Sequence, residues 1–155
     1  MVIKLYYSKW LPLHEIEEAI RKNFGVKAQE AGIKKLPSHA YNEARKQYNA
    51  FLLATSLPPF SLWIVHEDIY FEGMNFVFGL TVGRKAVVST YRLPSMQMVV
   101  KEAIHELGHV FGLAHCRNYC VMQFSNSLME AMKKPNELCS DCRKKLIKWK
   151  RGEED

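Results

Sequence analysis

No stretch of this chain comes near the ~18 consecutive apolar residues that a membrane-crossing helix needs, although 48% of its residues are hydrophobic. A helical membrane span is therefore excluded, and the apolar residues are expected to form a core. Internal repeats, low-complexity tracts and Gly/Ser-rich linkers are missing too, which excludes repeat arrays and flexibly tethered domains. The opening run Met1-Val2-Ile3-Lys4-Leu5-Tyr6-Tyr7-Ser8-Lys9-Trp10 has no long apolar segment and no small-residue cleavage site. A cytoplasmic location with reduced thiols is expected on that ground. Cysteine is confined to the last third of the chain. The formal charge of +6 permits a nucleic-acid partner without requiring one. What remains is a chain of 155 residues, the usual size of one domain with one sizeable core.

Within it, Val2 to Tyr7 reads as a strand, a helix follows from Pro12-Leu13 to about Asn23, and Phe24 to Lys34 supplies a second strand. Tyr41 to about Ser56 carries Ala44, Tyr48, Phe51 and Leu52 at helical spacing and ends before Pro58-Pro59, which predicts a helix. Ser61 to His66 is a short run of the buried-strand type. Asn75 to Val82 and Lys85 to Tyr91 predict a hairpin across Gly83-Arg84, the Gly-X order of a type II′ turn. Helices are expected after Pro94-Ser95, from Gln123 to Lys133 and from Cys142 to Lys150. Strands alternating with helices and then a hairpin imply an α/β (α+β) fold, a mixed sheet with one antiparallel edge strand.

The run His105-Glu106-Leu107-Gly108-His109-Val110-Phe111-Gly112-Leu113-Ala114-His115 carries the chemistry. A helix turns about 100° per residue, so histidines four apart share a face about 6 Å apart along the axis. Both can reach one metal ion, with Glu106 beside them as general base for a water at the open coordination position. Gly112 allows the left-handed backbone that ends a helix, and the turn can deliver His115 as third ligand. Three histidines with an open fourth position describe a catalytic zinc. Val99, Val100, Ala103, Ile104, Leu107, Val110 and Phe111 surround this helix with apolar side chains, so it is expected to be largely buried.

The cysteines carry a second signal. Cys116 and Cys120 form C-x-x-x-C, and Cys139 and Cys142 form C-x-x-C. Two such pairs fit a closed four-thiolate zinc site; two disulfides are the other reading, with three connectivities open. Reduced thiols favour metal. A redox pair at Cys139 and Cys142 is disfavoured by its distance from any βαβ start.

From His105 to Cys142 the chain resembles the archaemetzincins, a family of metzincin-type zinc peptidases. The resemblance rests on the eleven-residue histidine run, on Cys116 directly after His115, and on Cys120, Met122, Cys139 and Cys142. One departure stands: three residues separate Cys116 from Cys120, where the family commonly has four. The resemblance implies a single metallopeptidase domain over residues 1–155, with a sheet-and-helix part at 1–112 and a zinc-stapled helical part at 113–155. It implies two zinc ions per chain, catalytic on His105, His109 and His115, structural on Cys116, Cys120, Cys139 and Cys142. Met122 takes the Met-turn place on the resemblance alone, and aminopeptidase-type cleavage of oligopeptides is implied with it.

The hairpin edge is the expected substrate rail, because an extended peptide can pair with an exposed strand. Asn75, Val77, Gly79 and Thr81 share one face of it; Phe76, Phe78, Leu80 and Val82 share the other, the aromatic face being expected in the core. The basic residues Arg143, Lys144, Lys145, Lys148, Lys150 and Arg151 are expected on a solvated helix face, with Glu153, Glu154 and Asp155 after them. A monomeric zinc peptidase acting on peptide or protein substrates, with no membrane or nucleic-acid partner, is the leading reading. The other is a non-hydrolytic zinc protein whose four-cysteine module and basic tail bind a macromolecule, which gives Glu106 no task.

Overall fold

Ile3, Leu5 and Tyr7 alternate with Val2, Lys4 and Tyr6. In the computed structural model, which describes residues 1–152, this pattern is strand β1 (Val2–Tyr7) with the first set buried. Helix α1 (His14–Phe24) buries Ile16, Ile20 and Phe24 at four-residue intervals and stops at Gly25, whose φ of 66° is left-handed. Strand β2 (Lys27–Ile33) pairs in parallel with β1.

The helix expected from Tyr41 to Ser56 does not form. After a 3₁₀ turn (Ser38–Ala40) the chain makes a hairpin, β3 (Tyr41–Asn42) with β4 (Gln47–Asn49), then the short helix α2 (Ala50–Thr55). Two asparagines explain the difference. Asn42 Oδ1 accepts the Arg45 N–H at 3.2 Å, and Lys46 takes a left-handed φ of 56° that closes the turn. Asn49 Oδ1 accepts the Leu52 N–H at 3.2 Å and so starts the helix late. Short polar side chains compete with helical hydrogen bonding wherever they reach a backbone donor.

Strand β5 (Ser61–Val65) is buried at all five residues, as a central strand requires, and β6 (Ile69–Tyr70) joins β3 and β4 in a small separate sheet. Strands β7 (Gly79–Val82) and β8 (Lys85–Ser89) form the expected hairpin. Gly83 has φ 62°, and Arg84 avoids positive φ, as a type II′ turn demands. The main sheet runs β2-β1-β5-β8-β7, parallel throughout except for β7 at its edge. This is the mixed sheet with one antiparallel edge strand.

The edge strand is shorter than its pattern suggests. Asn75 and Val77 lie ahead of it because the small sheet captures them. The Asn75 carbonyl accepts from Gln47 at 2.9 Å and Arg45 at 3.1 Å, and the Val77 N–H donates to Ile69 at 3.1 Å.

Ser95 caps helix α3 (Met96–Val110), accepting the Met98 N–H, and twelve residues of this helix are buried, so it can carry polar groups only where they have partners. Helix α4 (Leu128–Lys133) begins at the Ser127 cap instead of Gln123, whose N–H closes a turn on the Cys120 carbonyl at 3.0 Å. Helix α5 (Ser140–Lys150) starts on Cys139, whose sulfur accepts the Cys142 N–H.

One core cluster joins β1, β5, α1 and α3 to Leu113, Val121, Met122, Leu138 and Leu146. The segment after residue 112 thus shares the core of the part before it. A second cluster, around Trp63, Val65 and Val87, packs under α2 on the other face. No helix among the described residues is long and apolar enough to cross a membrane.

The turn after α3 has two requirements. Gly112 holds φ 82°, and a Cβ there would stand 2.6 Å from Cδ1 and Nε1 of Trp149 on α5. Gly112→Ala meets both a backbone and a packing penalty, on the order of 1–3 kcal/mol. A fall in Tm of several degrees is expected by differential scanning calorimetry; an unchanged Tm would show that neither requirement holds.

Candidate metal centre and active-site cleft

Helical spacing sets His105 and His109 on the inner face of α3, and the Gly112 turn returns His115 to them. Ring centroids stand 4.9 Å apart for His105–His109 and His109–His115 and 5.4 Å for His105–His115. One nitrogen from each ring lies within 4.8 Å of the others. Two of the rings are aimed by backbone. His105 Nδ1 lies 2.8 Å from the Val121 carbonyl, and His109 Nδ1 lies 2.8 Å from the Leu113 carbonyl. A carbonyl only accepts, so each Nδ1 carries the proton and each Nε2 keeps a lone pair for a metal. His115 is exposed, its ring 5.1 Å from that of Phe124.

The electrostatics favour the ligating form. Burial pushes the His105 imidazole down to about 3, helped by the neighbouring Lys134 charge. His109 and His115 are also lowered, burial again being the leading cause. Neutral imidazoles converging on one point suit zinc.

Glu106 faces strand β7. The Thr81 hydroxyl lies 2.8 Å from Glu106 Oε1 and 2.9 Å from its backbone carbonyl. Burial, and then the carboxyl of Glu102, raise Glu106 well above the usual carboxylate range. A Cβ on Gly79 would be 2.9 Å from Glu106 Cγ, so only glycine lets the strand approach this closely. Gly79 and Thr81 therefore sit beside the carboxylate, while Asn75 and Val77 are held outside the ladder. Of the face expected in the core, Phe78 packs against the main core cluster and Leu80 and Val82 against the second, whereas Phe76 joins neither; Phe76 and Phe78 are half-buried and line a cleft of about 930 Å³ above the histidines. The small sheet draws this segment out over the cleft, and the Arg92 guanidinium stacks 4.0 Å from the Phe76 ring.

The four cysteines converge as a second group, with all sulfurs within 4.8 Å of one another and no disulfide between them. Cys120 Sγ accepts from Met122 N at 3.4 Å and Cys139 N at 3.3 Å; Cys139 Sγ accepts from Asn118 Nδ2 at 3.6 Å. Burial opposes ionisation of Cys139, but donors from Cys142 and Asn118 bring its thiol down to about 6. The Cys116–Cys120 span is a series of bends with no helical turn. Met122 is fully buried, and its sulfur would sit 2.2 Å from a Cβ on Gly108, so it packs directly on α3 between the two histidine turns.

Three residues of this region escape the sequence pattern. Glu102 lies one turn before Glu106 on the same face, and its i, i+4 spacing was a signal. Lys101 donates from Nζ to the Ala131 carbonyl at 3.0 Å. Lys134, 3% exposed, donates to the Gln123 carbonyl at 2.8 Å and stands 3.1 Å from His105 Nδ1. Burial lowers it, while Glu102 and Glu106 act to raise it. Nothing in its sequence context points to the site. Of the basic tail, Arg143 donates to the Leu138 carbonyl at 3.2 Å and Lys150 to that of Phe24, so part of it is used within the fold. Glu153, Glu154 and Asp155 lie outside the described residues.

A buried neutral His105 links stability to pH. Above the ordinary value of 6.5 folded and unfolded states carry the same charge on this ring. Below it the unfolded chain takes up a proton that the folded one refuses, so stability declines until about pH 3. For metal-free protein this ring alone predicts a loss of about 2 kcal/mol from its ordinary value down to about pH 5. Urea titrations at those two pH values measure it; equal stabilities would place the ring in solvent.

Residues 9–148 match the model of Peptidase family M54. The Archaemetzincin of Nanoarchaeum equitans is 46% identical over 130 residues, covering 80% of this chain and 75% of that protein. That of Archaeoglobus fulgidus is 46% identical over 116 residues, 68% of this chain and 72% of that protein. The crystal structure of Archaemetzincin from Methanopyrus kandleri superposes with a TM-score of 0.89 at 36% identity, covering 97% of this chain and 96% of that one. The Archaeoglobus fulgidus structure, complexed with malonate, gives 0.83 at 37% identity, covering 94% and 99%. With fold, histidine cluster and cysteine cluster in agreement, the chain belongs to Peptidase family M54, the archaemetzincins, and is a zinc metallopeptidase.

Proposed function

We propose that this peptidase holds its catalytic zinc on His105, His109 and His115, uses Glu106 as general base, and cleaves extended oligopeptides. The observation that carries this is the convergence of three neutral imidazoles, two of them with Nδ1 committed to backbone carbonyls. Bound there, zinc supplies a Lewis acid for the scissile carbonyl. Glu106 takes the proton of the attacking water and passes it to the leaving amine. Thr81 holds the carboxylate still through both halves of that task.

Strand β7 serves as the rail. In a hairpin closed by Val82 and Lys85 the pairs alternate, which turns the main-chain groups of Gly79 and Thr81 to the free edge. An extended peptide pairs there through its backbone, with side chains left to the cleft walls. Cleavage is aminopeptidase-type, a reading that rests on the family resemblance.

The four thiolates hold a second zinc with a structural task. Cys116 follows His115 directly, and its N–H donates to the Met122 carbonyl at 2.9 Å, so this cluster anchors the loop that presents the third histidine. Structural zinc contributes apparent binding energies of roughly 10–16 kcal/mol in small domains.

Glu106→Ala is expected to retain the zinc content of the wild type by atomic emission and to lower kcat on a peptide-library digest at least 1,000-fold. Residual activity near wild type would remove Glu106 from the mechanism. Cys139→Ser is expected to lose one zinc per chain and to melt at least 10 °C lower. Two retained zincs with normal melting would contradict the structural assignment.

A further inference from the structure

Glu102 and Lys134 are buried, at 9% and 3% exposure, and both line the active-site cleft. Neither has a role in the mechanism above. Lone buried charges are costly, and such groups normally find each other or a hydrogen-bond partner. These two form no ion pair with each other among the described residues. Glu102 lies beside the carboxyl of Glu106, and a carboxylate has two oxygens, so it keeps accepting capacity toward the cleft. Lys134 has three N–H donors; the Gln123 carbonyl takes one, and the His105 ring nitrogen stands 3.1 Å from the ammonium. Ser125 belongs to the same wall of the cleft, with its hydroxyl oxygen buried behind the surface. Gly79 keeps the space clear, since a Cβ there would stand 3.1 Å from Glu102 Oε1.

We propose that Glu102 and Lys134 form a specificity subsite for a primary amide, the side chain of glutamine or asparagine in the bound peptide. The inference rests on the peptidase reading. Charge selects the ligand class. A cationic side chain meets the Lys134 ammonium, and an anionic one meets the Glu102 carboxylate. A neutral amide donates its N–H to Glu102 and accepts at its oxygen from Lys134, satisfying both without repulsion. Sites built to hydrogen-bond a buried polar group discriminate strongly against analogues that lack it, because the site's own groups are left unpaired.

The test compares two peptide series that carry either glutamine or methionine, scanned through the four positions around the scissile bond. Zinc-loaded wild type is expected to prefer glutamine at one position by at least tenfold in kcat/KM. Glu102→Leu should bring that ratio to within about threefold while zinc content stays normal. If Glu102→Leu loses zinc, Glu102→Gln carries the same readout with side-chain size preserved, and its preference should fall by an intermediate amount. Calorimetric binding of the same peptides to Glu106→Ala provides a reading that needs no turnover, and glutamine should again bind more tightly.

Cleavage with no amide preference at any position overturns the subsite and leaves the peptidase reading intact. A preference that survives Glu102→Leu unchanged also overturns it. So does a Glu102→Leu effect seen only as lost discrimination between free and acetylated amino termini, which would make Glu102 an ammonium anchor. If no peptide is cleaved, the peptidase reading fails, and the calorimetric preference alone decides the subsite.

Discussion

Two backbone carbonyls, those of Val121 and Leu113, decide where the histidines of α3 point. Helical spacing brings His105 and His109 to one face, but each ring could still rotate away. By accepting the Nδ1 protons at 2.8 Å, the carbonyls fix tautomer and orientation together. Both belong to the segment that follows the Gly112 turn and also bears His115. Helix and loop therefore define each other: the loop orients the helical histidines, and the helix gives the loop a surface to pack on through Met122 and Gly108.

That dependence explains why so much of the chain's end is devoted to one short loop. Trp149 closes over Gly112 and meets Phe111 edge to face, with ring centroids 5.5 Å apart. The cysteine cluster ties Cys116 and Cys120 to the start of α5. Lys101 and Lys134 reach from beneath to the carbonyls around α4, bracing the wall that carries Phe124 and Ser125. Against this looped wall stands a rigid one, the edge strand β7, whose glycine brings the sheet into contact with Glu106. The cleft lies between a wall set by sheet hydrogen bonding and a wall set by side-chain anchors.

The local patterns were legible where one interaction dominated. The alternation in β1, the buried run of β5 and the Gly83 turn each have a single competing conformation of much higher cost. The pattern misled at Tyr41–Ser56 because apolar spacing carries no trace of Asn42 and Asn49, whose side chains take the backbone donors that a helix would use. It misled again at Phe76. Strand alternation implied a buried face, yet the residues on either side are bonded to β4 and β6, elements distant in sequence, and the ring is drawn over the cleft instead. The late start of α4 has the same kind of cause in Ser127 and the Cys120 turn.

For the site, the histidine run and the two cysteine pairs were readable because helix geometry and chelate spacing are local properties of the chain. The sequence alone determined the residue types of the candidate ligands, their grouping in two sets, and the presence of a carboxylate beside the histidines. Tertiary structure alone decided that the Val121 carbonyl would aim His105, that Thr81 would hold Glu106, and that Lys134 would lie buried next to the histidines. Each of those contacts joins residues separated by 16 to 29 positions. No periodicity relates such pairs, and only packing α3 against β7 and the closing loop brings them within reach.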